Sequence, residues 1–348
     1  MVEIQKISPT AQLKGHRAPV LCLAYSQDSY LGPNILASGA EDKTCRLWDL
    51  RQLRAIKGIT GLEEAVSSVA FAKSRDKPYV YLASGTKVHV YDLRTEGLIL
   101  AESIKTYAYS DDEINMIDIN EDDTCLVTAD DQGCVKIVDL ENDKLHKKIT
   151  KTHANICMAV RFRPQKSWEV WSGGMDCKLM HWDISKSSPT KTHDMCEFVA
   201  GSERMFNPPF VYSVTASSNG QWLAAGLGDG SIHLFGKKRK AKNLVQGRLN
   251  ECHSNLVNAL SFAPKDGENG HDYLVSGSAN GTVSLWKLSE SDAGYIGIKE
   301  PENAYQLDES VARLNWLEAY SVDSGSLCVA VAGVGANPNQ GALNIYSI

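Results

Sequence analysis

Seven times along the chain an alternating apolar run closes on the same short ending. These endings are LWDL at Leu47, VYDL at Val90, IVDL at Ile137, HWDI at His181, LFGK at Leu234, LWKL at Leu285 and IYSI at Ile345. The residue at the centre of each is Trp48, Tyr91, Val138, Trp182, Phe235, Trp286 and Tyr346, and successive positions are 43, 47, 44, 53, 51 and 60 residues apart. A period of this size is one supersecondary unit, too small to bury a core alone, so that neighbouring units must pack on one another. The repeat therefore overrides length as a guide. Its 348 residues would suggest about two domains at ~150 residues each, whereas division by seven gives about 50 per unit.

Each unit reads as β-structure. An apolar run, a turn of small residues and a second run precede most endings, as in ILASGAEDKTCRLW, LVTADDQGCVKIV, VWSGGMDCKLMHW, LAAGLGDGSIHLF and LVSGSANGTVSLW, which is strand, tight turn, strand. Further alternating runs lie upstream, among them VLCLAYS, VSSVAFA, INMIDIN, CMAVRFRP and VNALSFAP. The expectation is all-β: seven similar sheets of three or four strands, with almost no helical periodicity.

The Gly15-His16 start, the SGAED turn and the LWDL ending resemble a WD repeat. The resemblance covers nearly the whole chain and implies a seven-bladed β-propeller of four-stranded blades. On this reading residues 1–7 are a tail and residues 8–348 a single propeller. The sequence stops after IYSI, one strand short of a full last blade, and Thr10 to Lys14 are placed to supply that strand and remove an open edge. The resemblance also implies a buried polar network linking His16, Ser38, Asp42 and Trp48 in blade one, and His153, Ser172, Asp176 and Trp182 in blade four. Blade six keeps His253, Ser276 and Trp286 but has Asn280 at the acidic position. Blades two, three, five and seven depart from the pattern: Gln132 stands at the Asp position of blade three, and Tyr91 and Val138 replace Trp.

The remaining composition narrows the function classes. With 42 acidic against 36 basic residues and 43% hydrophobic content, the chain is neither disordered nor a nucleic-acid-coating polycation. Nine cysteines, an odd number with no Cys-x-x-Cys pair and several inside apolar runs, read as reduced core thiols of an intracellular protein, nuclear or cytoplasmic. The start MVEIQKISPTAQL builds no apolar signal region, and the most apolar window, Leu327 to Ala336, is half a membrane span. No cofactor, metal site or membrane contact is expected. GLGDG at Gly226 and GVGANPNQG from Gly333 precede strands, not the helix that would hold a phosphate. His193 with Cys196, and Cys252 with His253, lack a second pair at zinc spacing. Asn280-Gly281-Thr282 matches a glycosylation acceptor but lies in a structural turn. Trp168 and Trp171 read as packing residues of blade four. No nucleophile, base and oxyanion arrangement is legible, and the expectation is a non-enzyme.

What remains is binding. Blades one and two end in Asp49-Leu50-Arg51 and Asp92-Leu93-Arg94, a tandem Asp-x-Arg at equivalent positions. Within the WD-repeat family this pair resembles the box through which substrate receptors dock on the damaged-DNA-binding adaptor of cullin-4 ubiquitin ligases. Stretches in blades three to five, DDEINMIDIN, TADDQGCVKIVDLEN and THANICMAVRFRPQ together with the Asn207-Pro208 turn opening blade five, are similar to a family member grouped with those receptors. The resemblance implies adaptor docking through Asp49, Arg51, Asp92 and Arg94, with an unidentified substrate on the opposite face near Arg17, Glu113, Asn155 and Asn255. The ligase chemistry would belong to partners, and the chain would be a monomer within the larger complex. The basic run Lys237, Lys238, Arg239, Lys240, placed in the loop leaving blade five, has three readings: an import signal, a contact for phosphate or an acidic partner, or a solvated loop. No aromatics interleave with it, so direct nucleic-acid binding is not expected. The alternative function is a scaffold subunit of another nuclear complex, chromatin or ribonucleoprotein, in which the Asp-x-Arg pair is only turn structure.

Overall fold

The computed structural model describes residues 2–147, 153–198, 207–237, 244–250, 252–263, 272–288, 300–321 and 326–348. Their regular structure is β throughout except for one 3-10 turn at Met195–Phe198. Seven sheets form the blades of a β-propeller; in each the first three strands run in sequence order from the central channel outward, and in blade seven the fourth place is taken by Ala11–Gln12 from the start of the chain. Blade one contains Val20–Ser29, Gly32–Ala40, Cys45–Asp49 and Arg54–Ile59; blade four contains Cys157–Arg163, Lys166–Gly174, Lys178–Asp183 and Lys191–Asp194.

The repeat ending is legible because its central residue faces the core. Trp48, Tyr91, Val138, Trp182, Phe235, Trp286 and Tyr346 are all buried. Each pairs with an apolar residue of the second strand, such as Leu36 with Trp48, Val170 with Trp182 and Leu274 with Trp286. Blade-to-blade packing explains the small-residue turns. A Cβ on Gly39, Gly173, Gly226 or Gly277 would sit 2.2–2.5 Å from an atom of the next blade, so the second strand must be bare there.

Every inner strand carries a register shift near its start, at Val20/Cys22, Val66/Ser68, Ile114/Met116, Cys157/Ala159, Val211/Ser213, Val257/Ala259 and Val311/Arg313. Such bulges increase local twist and re-aim side chains. Here short polar side chains at or near the bulge reach a carbonyl at the start of the next blade. Cys22 donates to Val66, Ser67 to Ile114, Asn115 to Cys157, Ser213 to Val257, Asn258 to Leu314 and Asn315 to Val20. The last of these closes the ring from blade seven to blade one.

Ring closure is also made by main chain. Ala11–Gln12 pairs antiparallel with Ile345 and Asn344, flanked by bonds from Thr10 N to Ile345 O and Leu13 N to Leu343 O, both 2.8 Å. The preceding segment, read from sequence as a tail, is a strand instead. Ile4–Ile7 runs parallel to Asn303–Leu307 as a fifth strand of blade six. Its burial is slight, so it left no alternation to read. A second addition, Ile99–Leu100 from the connection in blade two, lies parallel to Gly58–Ile59 of blade one.

All nine cysteines are free; most are buried, Cys134 and Cys252 are partly buried, and Cys196 is exposed. Among the described residues no helix is long and apolar enough to cross a membrane. Trp171 is buried as a packing residue, but Trp168 is 55% exposed. It sits near the start of the second strand of blade four, Lys166–Gly174, ahead of the buried stretch that begins at Glu169.

Candidate partner-binding surface

Three blades carry a buried polar network built on one serine. In blade one, Trp48 Nε1 donates to Ser38 Oγ at 2.8 Å, His16 Nε2 lies 2.8 Å from the same hydroxyl, and His16 Nδ1 faces the Asp42 carboxylate at 3.1 Å. In blade four, Trp182 Nε1 donates to Ser172 Oγ at 2.9 Å, His153 Nε2 is 2.8 Å from it, and His153 Nδ1 meets Asp176 at 2.9 Å. Burial alone would raise the Asp42 carboxyl, but bonds from His16, Thr44 and the Arg17 N–H more than offset it and hold it low. In blade six the serine is Ser276, the tryptophan Trp286, and Thr282 Oγ1 takes the acid's place at 2.7 Å from His253 Nδ1. Burial without a carboxylate then pulls the imidazole down to about 4. These groups are saturated by one another and set the blade interiors.

The departing blades use other chemistry. In blade five Arg248 donates to Asp229, to Ser231 Oγ and to Met195 O, tying its outer strand to blade four. In blade seven Asn344 donates to Ser310 Oγ, which donates to Asp308. Blade four adds a second buried hub that sequence spacing did not reveal. Glu169 accepts from Arg163 at 2.9 Å, Lys166 at 2.7 Å and Trp171 Nε1 at 3.0 Å, with His181 at 3.2 Å.

The Asp-x-Arg pairs lie elsewhere, on the face formed by the first-to-second and third-to-fourth strand connections, here the lower face. Leu50 N bonds Asn34 O and Leu93 N bonds Pro78 O, which joins the two kinds of connection within each blade. Arg51 reaches back to Asp49 through Nε at 3.1 Å and Nη2 at 2.8 Å, and its N–H caps the same carboxylate at 2.9 Å. Arg94 repeats the arrangement on Asp92 at 3.0, 2.6 and 2.9 Å. The Arg51 bond holds the Asp49 carboxyl below the usual range, and Arg94 does the same for Asp92. The carboxylates lie deep, with side chains 7% and 14% exposed, while Arg51 and Arg94 are 42% and 57% exposed. Each arginine is thus a fork pre-set by its acid with an outer edge turned to solvent.

Arg17, Glu113, Asn155 and Asn255 are exposed on the opposite, upper face, just ahead of the inner strands of blades one, three, four and six. Arg17 N donates to Asp42, and the Asn155 and Asn255 side-chain oxygens accept from the next N–H, of Ile156 and Leu256. Of the basic run, Lys237 ends the third strand of blade five, paired with Leu244, and so is not in a loop. Lys238, Arg239 and Lys240 lie outside the described residues.

Comparison with known proteins agrees with this geometry. The description "WD domain, G-beta repeat" matches residues 7–49, 204–235 and 246–287. WD repeat-containing protein 53 homolog of Dictyostelium discoideum is 30% identical over 88% of the chain and 85% of its own length. Nuclear distribution protein nudF of Emericella nidulans is 24% identical over 82% of the chain and 63% of its own length. Transducin beta-like protein 3 of Homo sapiens is 25% identical over 82% of the chain and 41% of its own length.

Proposed function

Because the chain belongs to the WD-repeat family, whose propellers serve as protein-interaction scaffolds, we propose that this one is a substrate receptor docking on the damaged-DNA-binding adaptor of a cullin-4 ubiquitin ligase. The observation that carries the reading is the matched pair of Asp–Arg forks, on adjacent blades and one face, with the same bonds in both. A carboxylate that merely finished a turn would need only the backbone N–H. Here each also fixes the plane of a guanidinium that is 42% or 57% exposed and so can meet a partner's carbonyls or carboxylates. The adaptor would occupy the lower face and the substrate the upper one, near Arg17, Glu113, Asn155 and Asn255.

The test is affinity capture of the wild type and of the Arg51→Ala, Arg94→Ala double variant. The adaptor is expected with the wild type and lost from the variant, while both unfold at similar temperatures because the arginines are surface groups. An adaptor missing from the wild-type capture, or retained by the folded variant, would end the proposal.

A further inference from the structure

The two arginines do not stand alone on the lower face. Beside Arg51 lies the hairpin joining the first two strands of blade one, Ser29–Tyr30–Leu31–Gly32. A Cβ on Gly32 would lie 3.9 Å from Arg51 Nη2, and Gly32 holds φ +117°, so the hairpin tip abuts the first fork. Arg94 is held charged first by its bond to Asp92, and Tyr79 and Tyr30 lie within electrostatic reach of it. Arg75, from the matching hairpin of blade two, bonds Asp28 at 3.4 Å and ties the two hairpins together. Tyr30 itself is 45% exposed.

The charge on this face is layered. Asp49 and Asp92 lie beneath their arginines, and Asp118 is 4% exposed beneath Lys73, whose side chain is 42% exposed. Asp123 is buried where it accepts from the N–H groups of Lys73 and Ser74. In the turns of blades one and two and the strand ends that flank them the exposed cations are Arg51, Arg54, Lys73, Arg75 and Arg94, against the exposed acids Asp28, Asp76 and Glu96. Over these two blades the outer layer is therefore cationic on a chain of net charge −6, whereas the matching connections of blade three expose Glu121, Asp122, Glu141 and Asp143. An aromatic set among guanidinium groups that already have their geometry fixed is the composition of an energetic centre in an interface, because neither residue type loses much freedom on docking.

We infer that this face receives an acidic protein surface and that Tyr30, on the hairpin against Arg51, is its apolar anchor. The inference rests on the adaptor-docking reading and specifies what the adaptor must offer: carboxylates around an apolar recess. Electrostatic attraction sets the rate of encounter, and burial of the ring sets the lifetime.

The test measures association and dissociation of the full-length chain on the immobilised, purified cullin-4 adaptor at low and raised salt. Tyr30→Ala is expected to weaken binding about tenfold or more, mainly through faster dissociation, and Tyr30→Phe to restore it. The charge reversal Arg54→Glu with Arg75→Glu is expected to slow association about tenfold at low salt, with the difference shrinking as salt is added. Thermal unfolding establishes that each variant is folded. Undiminished binding by Tyr30→Ala, or unchanged association by the charge reversal, overturns the inference. If Arg51→Ala with Arg94→Ala still abolishes binding in that case, the docking reading survives. A wild type that does not bind overturns both.

Discussion

His253 Nδ1 lies 2.7 Å from Thr282 Oγ1, at the point where the matching nitrogens of His16 and His153 face the carboxylates of Asp42 and Asp176. One polar group is exchanged for another, but only the carboxylate can offset a proton on the ring. Blade six therefore holds a histidine that stays neutral in the fold, at about 4, while the unfolded chain takes up a proton near 6.5. The folded value is the depressed one, so the stabilisation is complete above about pH 6.5 and is lost as pH falls toward 4. By that pH the loss from this residue is on the order of 3 kcal/mol. His193 and His233, each also pushed down to about 4 by burial, act in the same direction. Asn280→Asp supplies the absent acid. Urea unfolding between pH 7 and 4.5 should show a shallower acid slope for the variant, and an equal slope would refute this assignment.

Ser172→Ala tests the polar network where it is deepest. The substitution strands Trp182 Nε1 and His153 Nε2 on the same lost hydroxyl, and each buried orphan costs about 1–3 kcal/mol. A loss of about 2–4 kcal/mol in denaturant unfolding is expected. The matching Ser38→Ala should cost a similar amount, because Trp48 and His16 depend on Ser38 in the same way.

What could be read from sequence was whatever recurs at a fixed spacing. The seven central residues of the endings, the small second-strand turns and the His–Ser–Trp sets repeat because every blade must bury the same face against the next. What could not be read has one member only. Glu169 gathers four partners from both sides of its own blade, and nothing in SWEVW distinguishes a buried glutamate from a solvated one. Arg248 replaces a network histidine from a different strand. Ile4–Ile7 joins blade six from nearly three hundred residues away, with one half-buried side chain. Trp168 is a converse case: a large apolar residue in a strand looks like core, but it falls, exposed, among the first turn-side residues of Lys166–Gly174. On the lower face the two Asp-x-Arg motifs were legible as a tandem. The hairpin that carries Tyr30 against the first of them was not, because it belongs to a different connection of the blade.

Glu169→Gln keeps the shape of that hub and removes its charge. Burial would raise the Glu169 carboxyl, but bonds from His181, Lys166 and Arg163 more than offset this and keep it ionised. Neutralising it leaves the buried Arg163 guanidinium facing an amide. About 3–5 kcal/mol of destabilisation is expected, read by chemical denaturation. Because the folded value is the depressed one, the carboxylate's contribution in the wild type is present at neutral pH and is lost on strong acidification, so the difference between wild type and variant should narrow there.

Two deletions separate the two strands at the start of the chain. Removing residues 2–7 takes away a parallel strand that is mostly exposed, and blade six keeps its four sequential strands, so little stability should be lost. Removing residues 2–14 also takes the four backbone contacts that Thr10, Ala11, Gln12 and Leu13 make with the last strand, and it strips Leu13 from the cluster it shares with Leu343 and Ile345. Blade seven would then present an unpaired edge from Gly341 to Ser347, a template for pairing with another chain. The expected result is a near-wild-type unfolding midpoint for the shorter deletion. The longer one should show a lowered midpoint and concentration-dependent association in sedimentation. Equal behaviour of the two would mean that the side-chain stitch from Asn315 to Val20, and the apolar contact beneath it, close the ring without the strand.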